Sequence, residues 1–276
     1  MPWTTSRFVF PLVVVVASWL AFTLGLRSGD VPALVPPKAS ESKLPETGVA
    51  VVELFTSEGC SSCPPADAVL KDMEAKYRGK NVHFIAAHVD YWDRLGWPDR
   101  FASKERTERQ QGYADAFLTR SIYTPQMVVN GQVEFVGSDR GKAEKAIDAG
   151  LRSPSTIKMT ATLAERKTGE AVEVHVTASA TAAAKLEGKL IAHVVWTEDD
   201  LVSKVVRGEN AGRTLEHTHV ARACTSGQLN AKGEVELRLQ PPERSKSDAS
   251  RIEVFLQRER NGKLGEIVAA TSLPLK

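Results

Sequence analysis

Residues 51–65, which read VVELFTSEGCSSCPP, decide the fold of this chain. They begin as a β-branched apolar run, typical of a buried strand, and pass through a short turn into a Cys-x-x-Cys pair. The two prolines that follow suit the first turn of a helix. At such a helix N-terminus, orphan N–H groups and the helix dipole favour the thiolate form of a cysteine. The stretch therefore predicts a dithiol that exchanges disulfides.

The composition is that of an ordinary globular protein. The chain has 276 residues, with 36 basic and 34 acidic side chains and a net charge of +2. Because neither sign dominates and aromatic residues make up only 7% of the chain, we expect no nucleic-acid partner. The three cysteines, Cys60, Cys63 and Cys224, are too few for a disulfide-stapled scaffold.

The N-terminus predicts export. Residues 8–26 carry no charge, and they are longer than the usual apolar core of a signal peptide, about 7–15 residues, and close to the roughly 20 that span a bilayer. Residues 1–26 are therefore a cleaved signal peptide or a signal-anchor, which would hold the protein in the inner membrane. We expect a periplasmic, membrane-anchored or secreted protein. Residues 27–48, rich in Pro, Ser, Gly and charge, read as a flexible linker.

Two regions of different character follow the linker. Residues 49–152 predict the order β-α-β-α-β-β-α, with Asn130-Gly131 as the turn of the last strand pair. The predicted helices are 64–78, 102–118 and 139–150, and the predicted strands are 49–55, 82–89, 124–129 and 133–136. Residues 153–276 contain short alternating runs separated by turn signals, which favours a β-rich, sandwich-like module.

Several blocks resemble a known family. They are ELFTSEGCSSCPPAD at 53–67, HVDYWD at 88–93, YTPQ at 123–126, Asn130-Gly131, and GENAGRTL at 208–215. These blocks resemble the DUF1223 family of thioredoxin-like exported bacterial proteins. The resemblance implies an α/β thioredoxin-like domain followed by the β-rich module, but it implies no reaction, since the family's function is unknown.

The resemblance also bears on Thr124-Pro125. A proline at this place would be an ordinary trans residue at a strand start on sequence alone. In the thioredoxin fold, however, this position carries a cis-proline that faces the cysteines, so the resemblance implies a cis bond here. Such a proline leaves the backbone of Thr124 free to pair with an extended substrate.

The predicted chemistry centres on the cysteine pair. Cys60 is the expected nucleophile, Cys63 the resolving partner, and Ser61 and Ser62 supply hydroxyl donors. A static structural disulfide is the alternative. Because the sequence has no second Cys-x-x-Cys, we expect neither a metal nor a cofactor.

Other side chains are candidates for support. His88 and Asp90 fall on one side of a strand end, where one of them could move a proton for Cys63, or both could be structural. Glu53 is a proton acceptor near the thiols, or a solvent-facing or salt-bridged strand residue. Trp92 and Trp97 form a substrate rim or belong to the core.

Four further features are predicted without a functional role. Lys104, Arg106 and Arg109 read as the solvated face of an exposed helix, and Cys224 as a small buried hydrophobe. His217-x-His219 puts two imidazoles on one strand face without a third metal ligand. The loop 208–213 has turn residues whose chemistry the sequence leaves open.

Two functions remain from these observations. The first is an exported thiol–disulfide oxidoreductase whose partners are protein thiols and disulfides or a small thiol. The second is a non-catalytic binding or scaffold protein of the cell envelope with a structural disulfide.

Overall fold

The computed structural model describes residues 48–164, 169–181, 188–245 and 247–275. The predicted targeting segment, and the linker up to residue 47, lie outside these residues. Within the part of the chain that is described, none of the helices is both long and apolar enough to span a bilayer.

Three α-helices and thirteen strands make up most of the described chain. The helices are α1 (Pro64–Lys76), α2 (Lys104–Phe117) and α3 (Arg140–Arg152). The first strands are β1 (Ala50–Thr56), β2 (Val82–His88), β3 (Gln126–Val129) and β4 (Val133–Val136). The later strands are β5 (Ile157–Leu163), β6 (Val172–Ala180), β7 (Lys189–Glu198), β8 (Leu201–Lys204), β9 (Thr214–His217), β10 (Val220–Gln228), β11 (Glu234–Leu239), β12 (Ser250–Arg260) and β13 (Lys263–Pro274).

The predicted fold class is wrong. The chain is mostly β, and its main feature is one mixed sheet of eight strands in the order β13-β12-β7-β10-β2-β1-β3-β4. An α/β thioredoxin-like domain followed by a β-rich module does not describe this sheet, because four of its strands come from each of the two predicted regions. The domain boundary at residues 152 and 153 stays a prediction.

The joint of the sheet lies between β2 and β10. Val220 of β10 pairs in parallel with Ala86 of β2, and the Ala86 N–H donates to the carbonyl of His219 at 2.8 Å. Without β10, β2 would be an edge strand with unpaired N–H and C=O groups. The start of β10 pairs with this edge of β2. This long-range pairing is what overturns the two-module architecture.

Layers cover both faces of the large sheet. Helices α1 and α3 pack on one face of β1, β2 and β3, around Leu54, Leu70 and Ile147. On the opposite face, Phe55 and Val128 contact Tyr113 of α2. The three-stranded sheet β11-β6-β5 shares a core with β7, β10, β12 and β13. β8 and β9 pair only with each other, as a separate hairpin.

The predicted Asn130-Gly131 turn is confirmed. Both residues have positive φ, 52° and 63°, and they join β3 to β4. The Asn130 side chain also reaches back to β1, where it accepts from the Val51 N–H at 2.7 Å and donates to the Val49 carbonyl at 2.8 Å. The turn therefore fixes the register of β1 as well as that of the hairpin.

Candidate functional site

The two cysteines form a disulfide at the start of α1. Cys60 and Cys63 are bonded, with their Cα atoms 5.5 Å apart, and both are fully buried. Cys63 is the N-cap residue of α1, and its carbonyl accepts from the N–H groups of Ala66 and Asp67. Ser61 and Ser62 are exposed, and the Ser62 hydroxyl lies 3.3 Å from Cys60 Sγ. The disulfide therefore sits where helix N–H groups favour a thiolate once the bond opens.

The predicted cis bond between Thr124 and Pro125 is confirmed. Trp92 links this turn to the disulfide loop, since its indole N–H donates to the Thr124 hydroxyl at 2.8 Å. On its other side, Trp92 packs so close to Gly59 that a Cβ on the glycine would lie 3.0 Å from Trp92 Cβ. The structure thus places Trp92 between the residue before Cys60 and the cis-proline turn.

Glu58 is a buried carboxylate two residues before Cys60. It is 1% exposed; the Trp97 indole N–H donates to its Oε2 at 2.7 Å, and His217 Nε2 lies 3.2 Å from its Oε1. Burial raises the pKa of Glu58. The hydrogen bonds from His217, Ser203 and Trp97 together lower it by more than burial raises it, so the pKa of Glu58 lies below its usual value. Glu58 is therefore a stable anion beside the disulfide loop.

His88 pairs with Asp99 rather than with Asp90. His88 Nδ1 lies 2.6 Å from Asp99 Oδ2, which also accepts from the Glu58 N–H at 2.9 Å. Burial is the largest single influence on His88 and lowers its pKa, but the charge and hydrogen bond of Asp99, together with the charges of Asp67 and Glu58, outweigh burial and raise the pKa of His88. Burial likewise raises the pKa of Asp99, while His88 and backbone N–H groups bring it down to about 2. The pair is a buried contact between the His88 imidazole and the Asp99 carboxylate.

These groups form one assembly, here called the buried polar cluster: Glu58, His88, Asp99 and His217. The rings of His88 and His217 meet edge to face with centroids 4.9 Å apart. His88 Nε2 is buried and has no hydrogen-bond partner within the described residues. This ring nitrogen could therefore still form a hydrogen bond, and it lies next to the second imidazole.

Asp67 lies at the edge of the cluster, one turn after Cys63. Its carboxylate accepts from the Thr56 hydroxyl at 3.0 Å, and its side chain is half-buried. Burial raises the pKa of Asp67 more than the nearby His217 and His88 lower it. Asp67 therefore keeps its proton to a higher pH than an ordinary aspartate does.

The structure does not bring Asp90 or Glu53 to the cysteines. Asp90 accepts from the Thr107 hydroxyl at 2.6 Å, on α2. Glu53 lies on the α2 face of the sheet, where it accepts from Arg109 Nη2 at 3.0 Å and from the Tyr113 hydroxyl. The alternation that places Leu54 against α1 turns Glu53 to the opposite face.

Two other predictions about α2 and its surroundings are wrong. Arg106 is 6% exposed and Arg109 is part-buried against Glu53, so these two arginines do not lie on a solvated face, whereas Lys104 is exposed as predicted. Cys224 is exposed rather than buried, and it lines a cleft of about 970 Å³ beside α2. Charged residues on a helix were read as solvated because the partner that buries them is distant in the sequence.

Sequence reasoning missed four residues near the disulfide: Glu58, Asp67, Asp99 and His217. Asp67 carried a signal, because its spacing from Cys63 puts both on one side of α1. His217 was considered only as a metal ligand. His219 points elsewhere, against the Phe84 ring at 5.6 Å. In the described ranges, no group of three or more His, Cys, Asp or Glu side chains could hold a metal.

A loop from the second half of the chain contacts the segment that carries the disulfide. It runs from 205 to 213, between β8 and β9. The side-chain amide of Asn210 donates to the carbonyls of Glu58 and Cys60, at 2.9 Å each. The Glu209 carboxylate accepts from the Ser61 N–H at 3.0 Å. The family-like block at 208–215 therefore belongs to the site.

Comparison with known proteins gives one family and two informative solved structures. Residues 51–257 match the family described as "Protein of unknown function (DUF1223)". The crystal structure of protein AGR_C_4864 from Agrobacterium tumefaciens is 30% identical, covering 83% of this chain and 96% of that one, with a TM-score of 0.64. HBP35 of Porphyromonas gingivalis is 17% identical over 83% of this chain and 76% of that one, with a TM-score of 0.59, and shares the fold alone. No curated protein matches.

Proposed function

This chain belongs to the DUF1223 family, whose function is unknown, and we propose that it is a thiol–disulfide oxidoreductase acting through Cys60 and Cys63. The observation that carries the proposal is the disulfide at the N-cap of α1, backed by buried carboxylates and imidazoles. A purely structural disulfide needs no such groups behind it.

The reaction moves two electrons by two exchanges. In the reducing direction, the Cys60 thiolate attacks one sulfur of a substrate disulfide, and the other substrate sulfur leaves as a thiolate. Cys63, once deprotonated, then attacks Cys60 Sγ and releases the second substrate thiolate. The Cys60–Cys63 bond forms, so the protein is oxidised and the substrate becomes a dithiol. The same steps in reverse oxidise a substrate dithiol.

The second exchange needs a base for the Cys63 thiol. Asp67 is placed for this role, because it follows Cys63 by one turn and has a raised pKa. The buried polar cluster lies behind it and supplies compensating charge. Glu53 and Asp90, whose contacts are all on the α2 side, have no part in the proposed proton transfer.

The substrate would approach between the cis-proline turn and the tryptophans. Pro125 leaves the backbone of Thr124 available to a substrate strand, while Trp92 and Trp97 border the disulfide loop with half-buried rings. Ser61 and Ser62 add hydroxyl donors at the exposed side. Protein thiols and disulfides, or a small thiol, are the proposed partners.

The proposed location is the cell envelope. It rests on the uncharged run at 8–26, which reads as a signal peptide or an inner-membrane anchor. An exported dithiol would work in a compartment where disulfides persist.

A second function is favoured by one observation. Both cysteines are fully buried, as in a disulfide that only stabilises a fold. On this alternative, the protein is a binding or scaffold protein of the envelope and the disulfide holds the start of α1 in place.

The reduction potential of the disulfide decides between the two. The protein is equilibrated in glutathione buffers, and Cys63→Ser is expressed in parallel to trap mixed disulfides. Cys224→Ser, in both backgrounds, controls for the third thiol. We expect a potential between about −120 and −270 mV with trapped partners. A potential below about −300 mV with nothing trapped would overturn the enzyme and leave the scaffold.

A further inference from the structure

We infer that the loop 205–213 is a lid over the disulfide, that Asn210 is its latch, and that the substrate which opens it is an extended cysteine-bearing polypeptide. The inference rests on the proposed function, because it concerns access to the same cysteines. It gives a role to the 208–215 block, which the sequence left unexplained.

Burial along the loop singles out Asn210. From residue 206 to residue 214 every residue is exposed except Asn210, which is 0% exposed. A polar side chain inserted from an exposed loop is stable only where its hydrogen bonds are made inside. Asn210 makes them at the disulfide loop.

The contacts of the lid are with main-chain groups of the disulfide loop. Asn210 Nδ2 bridges the carbonyls of Glu58 and Cys60, while its Oδ1 accepts from Arg213 Nη1 at 2.8 Å. Glu209 Oε2 accepts a hydrogen bond from the Ser61 N–H at 3.0 Å. The lid thus pairs with one donor, the Ser61 N–H, and with two acceptors, the carbonyls of Glu58 and Cys60.

The loop is built to move as one piece. Its base is closed by Val205 N–H to the Arg213 carbonyl at 2.9 Å and by Gly212 N–H to the Val205 carbonyl at 2.8 Å. Gly208 and Gly212 have φ of 79° and 83°, a conformation that glycine adopts without strain. Because these bonds are internal to the loop, they need not break when it opens; the contacts that must break are those of Asn210 and Glu209 and the packing of Gly208 against Trp97, where a Cβ on the glycine would lie 3.2 Å from Trp97 Cβ.

The chemistry of those contacts identifies the substrate class. The Asn210 amide donates hydrogen bonds and the Glu209 carboxylate accepts one. An extended peptide offers the same two functions with its backbone N–H and C=O groups. A polypeptide can replace both contacts as it displaces the lid. A compact thiol such as glutathione replaces them less completely, so it must wait for the lid to open.

The test of the lid is the rate at which a phosphine reduces the disulfide. Wild-type protein, Asn210→Ala, Glu209→Gln and Glu216→Gln are each mixed with increasing TCEP, and the thiols are trapped over time. Glu216 is the matched control, because it lies on β9 of the same hairpin and makes only an exposed ion pair with Lys71 at 3.2 Å. Circular dichroism and the melting temperature check that each variant is folded.

We expect the wild-type rate to level off at high TCEP, where opening of the lid is limiting. Asn210→Ala should react at least tenfold faster, Glu209→Gln a few-fold faster, and Glu216→Gln at the wild-type rate. A wild-type rate that is proportional to TCEP throughout, or equal rates in all four proteins, would overturn the lid. If Asn210→Ala does not fold, the exposed Glu209→Gln still decides, with amide hydrogen exchange at Ser61 as its second readout.

The substrate class is tested by comparing thiols. At equal thiolate concentration, a reduced unstructured peptide with one cysteine should react with the wild-type disulfide at least tenfold faster than glutathione, and Asn210→Ala should narrow the gap. Glutathione reacting as fast as the peptide in the wild type would overturn this part. TCEP kinetics need no catalytic cycle, so they report on the lid even if the reduction potential refutes the oxidoreductase.

Discussion

His217 Nε2 lies 3.2 Å from Glu58 Oε1, although 159 residues separate them in the chain. One residue ends β9 and the other lies in the turn after β1, so the groups behind the disulfide come from both halves of the molecule. With Asn210 on the front of the disulfide loop, the second half of the chain supplies both the lid and part of the buried polar cluster. A protein cut at the predicted boundary near residue 153 would lose both.

Replacing His217 tests the weight of this contact. His217→Phe keeps a ring against His88 and Phe101 but leaves the buried Glu58 carboxylate without one of its donors. We expect the free energy of unfolding at pH 7 to fall by about 2–3 kcal/mol. Urea denaturation gives the value. The adjacent Glu216→Gln, which breaks only an exposed ion pair, should cost less than about 1 kcal/mol. Equal losses in the two variants would contradict the contact.

The His88–Asp99 pair predicts a change in a measurable pKa. In Asp99→Asn the largest influence that raises the pKa of His88 is gone, and the charges of Asp67 and Glu58 are left to oppose burial, which lowers it. An NMR titration of the His88 ring should therefore show a lower midpoint in Asp99→Asn than in the wild type. An unchanged midpoint would mean that Asp99 does not control His88.

The same pair predicts an acid-dependent loss of stability. The pKa of Asp99 in the folded protein is about 2, below its ordinary value of 3.8. The ionised carboxylate therefore stabilises the fold at pH values above 3.8. That contribution disappears as the pH falls toward 2. The difference in unfolding free energy between wild type and Asp99→Asn should shrink by about 2 kcal/mol between pH 6 and pH 2. Urea unfolding across this range measures it, and a constant difference would refute the assignment.

Local patterns predicted elements well, and long-range pairing escaped them. The alternation and turn signals located β1 to β4 and the three helices within a few residues, because these depend on neighbours in sequence. The pairing of Val220 with Ala86 leaves no local trace, so the continuous sheet was not predicted. Among the candidate site residues, the cysteines, Trp92 and Thr124-Pro125 lie in the blocks that carry the motif and the resemblance. Asp99 and His217 became visible only when the fold placed them beside Glu58 and His88.

Asn130 tests a position that the sequence did predict. It shares its Asn-Gly turn type with Asn261-Gly262, which joins β12 to β13, and both asparagines have positive φ, 52° and 54°. Only Asn130 adds buried bonds to Val49 and Val51. Asn130→Ala should lower the unfolding free energy by about 3 kcal/mol, whereas Asn261→Ala should lower it by about 1 kcal/mol. Similar losses in urea unfolding would show that the turn conformation, not the bridge to β1, carries the effect.

Asp67 offers a prediction in which stability and activity move in opposite directions. Its pKa is raised, so the folded state favours the protonated carboxyl, and ionisation at neutral pH weakens the fold. Asp67→Asn keeps an oxygen for the Thr56 hydroxyl but removes the charge. We expect the unfolding free energy at pH 7 to rise by about 1 kcal/mol. The rate at which Cys63 resolves a mixed disulfide on Cys60 is measured by rapid quench, and it should fall at least tenfold. The variant should also lose the pH dependence of this rate that the ionisation of Asp67 contributes at pH values above 3.8, the ordinary pKa of an aspartate. Asp72→Asn, on the same helix but in an exposed ion pair with Arg140, should leave the rate unchanged. If Asp67→Asn resolves at the wild-type rate while gaining stability, Asp67 is not the base for Cys63, and His88 with its unpartnered Nε2 becomes the residue to replace next.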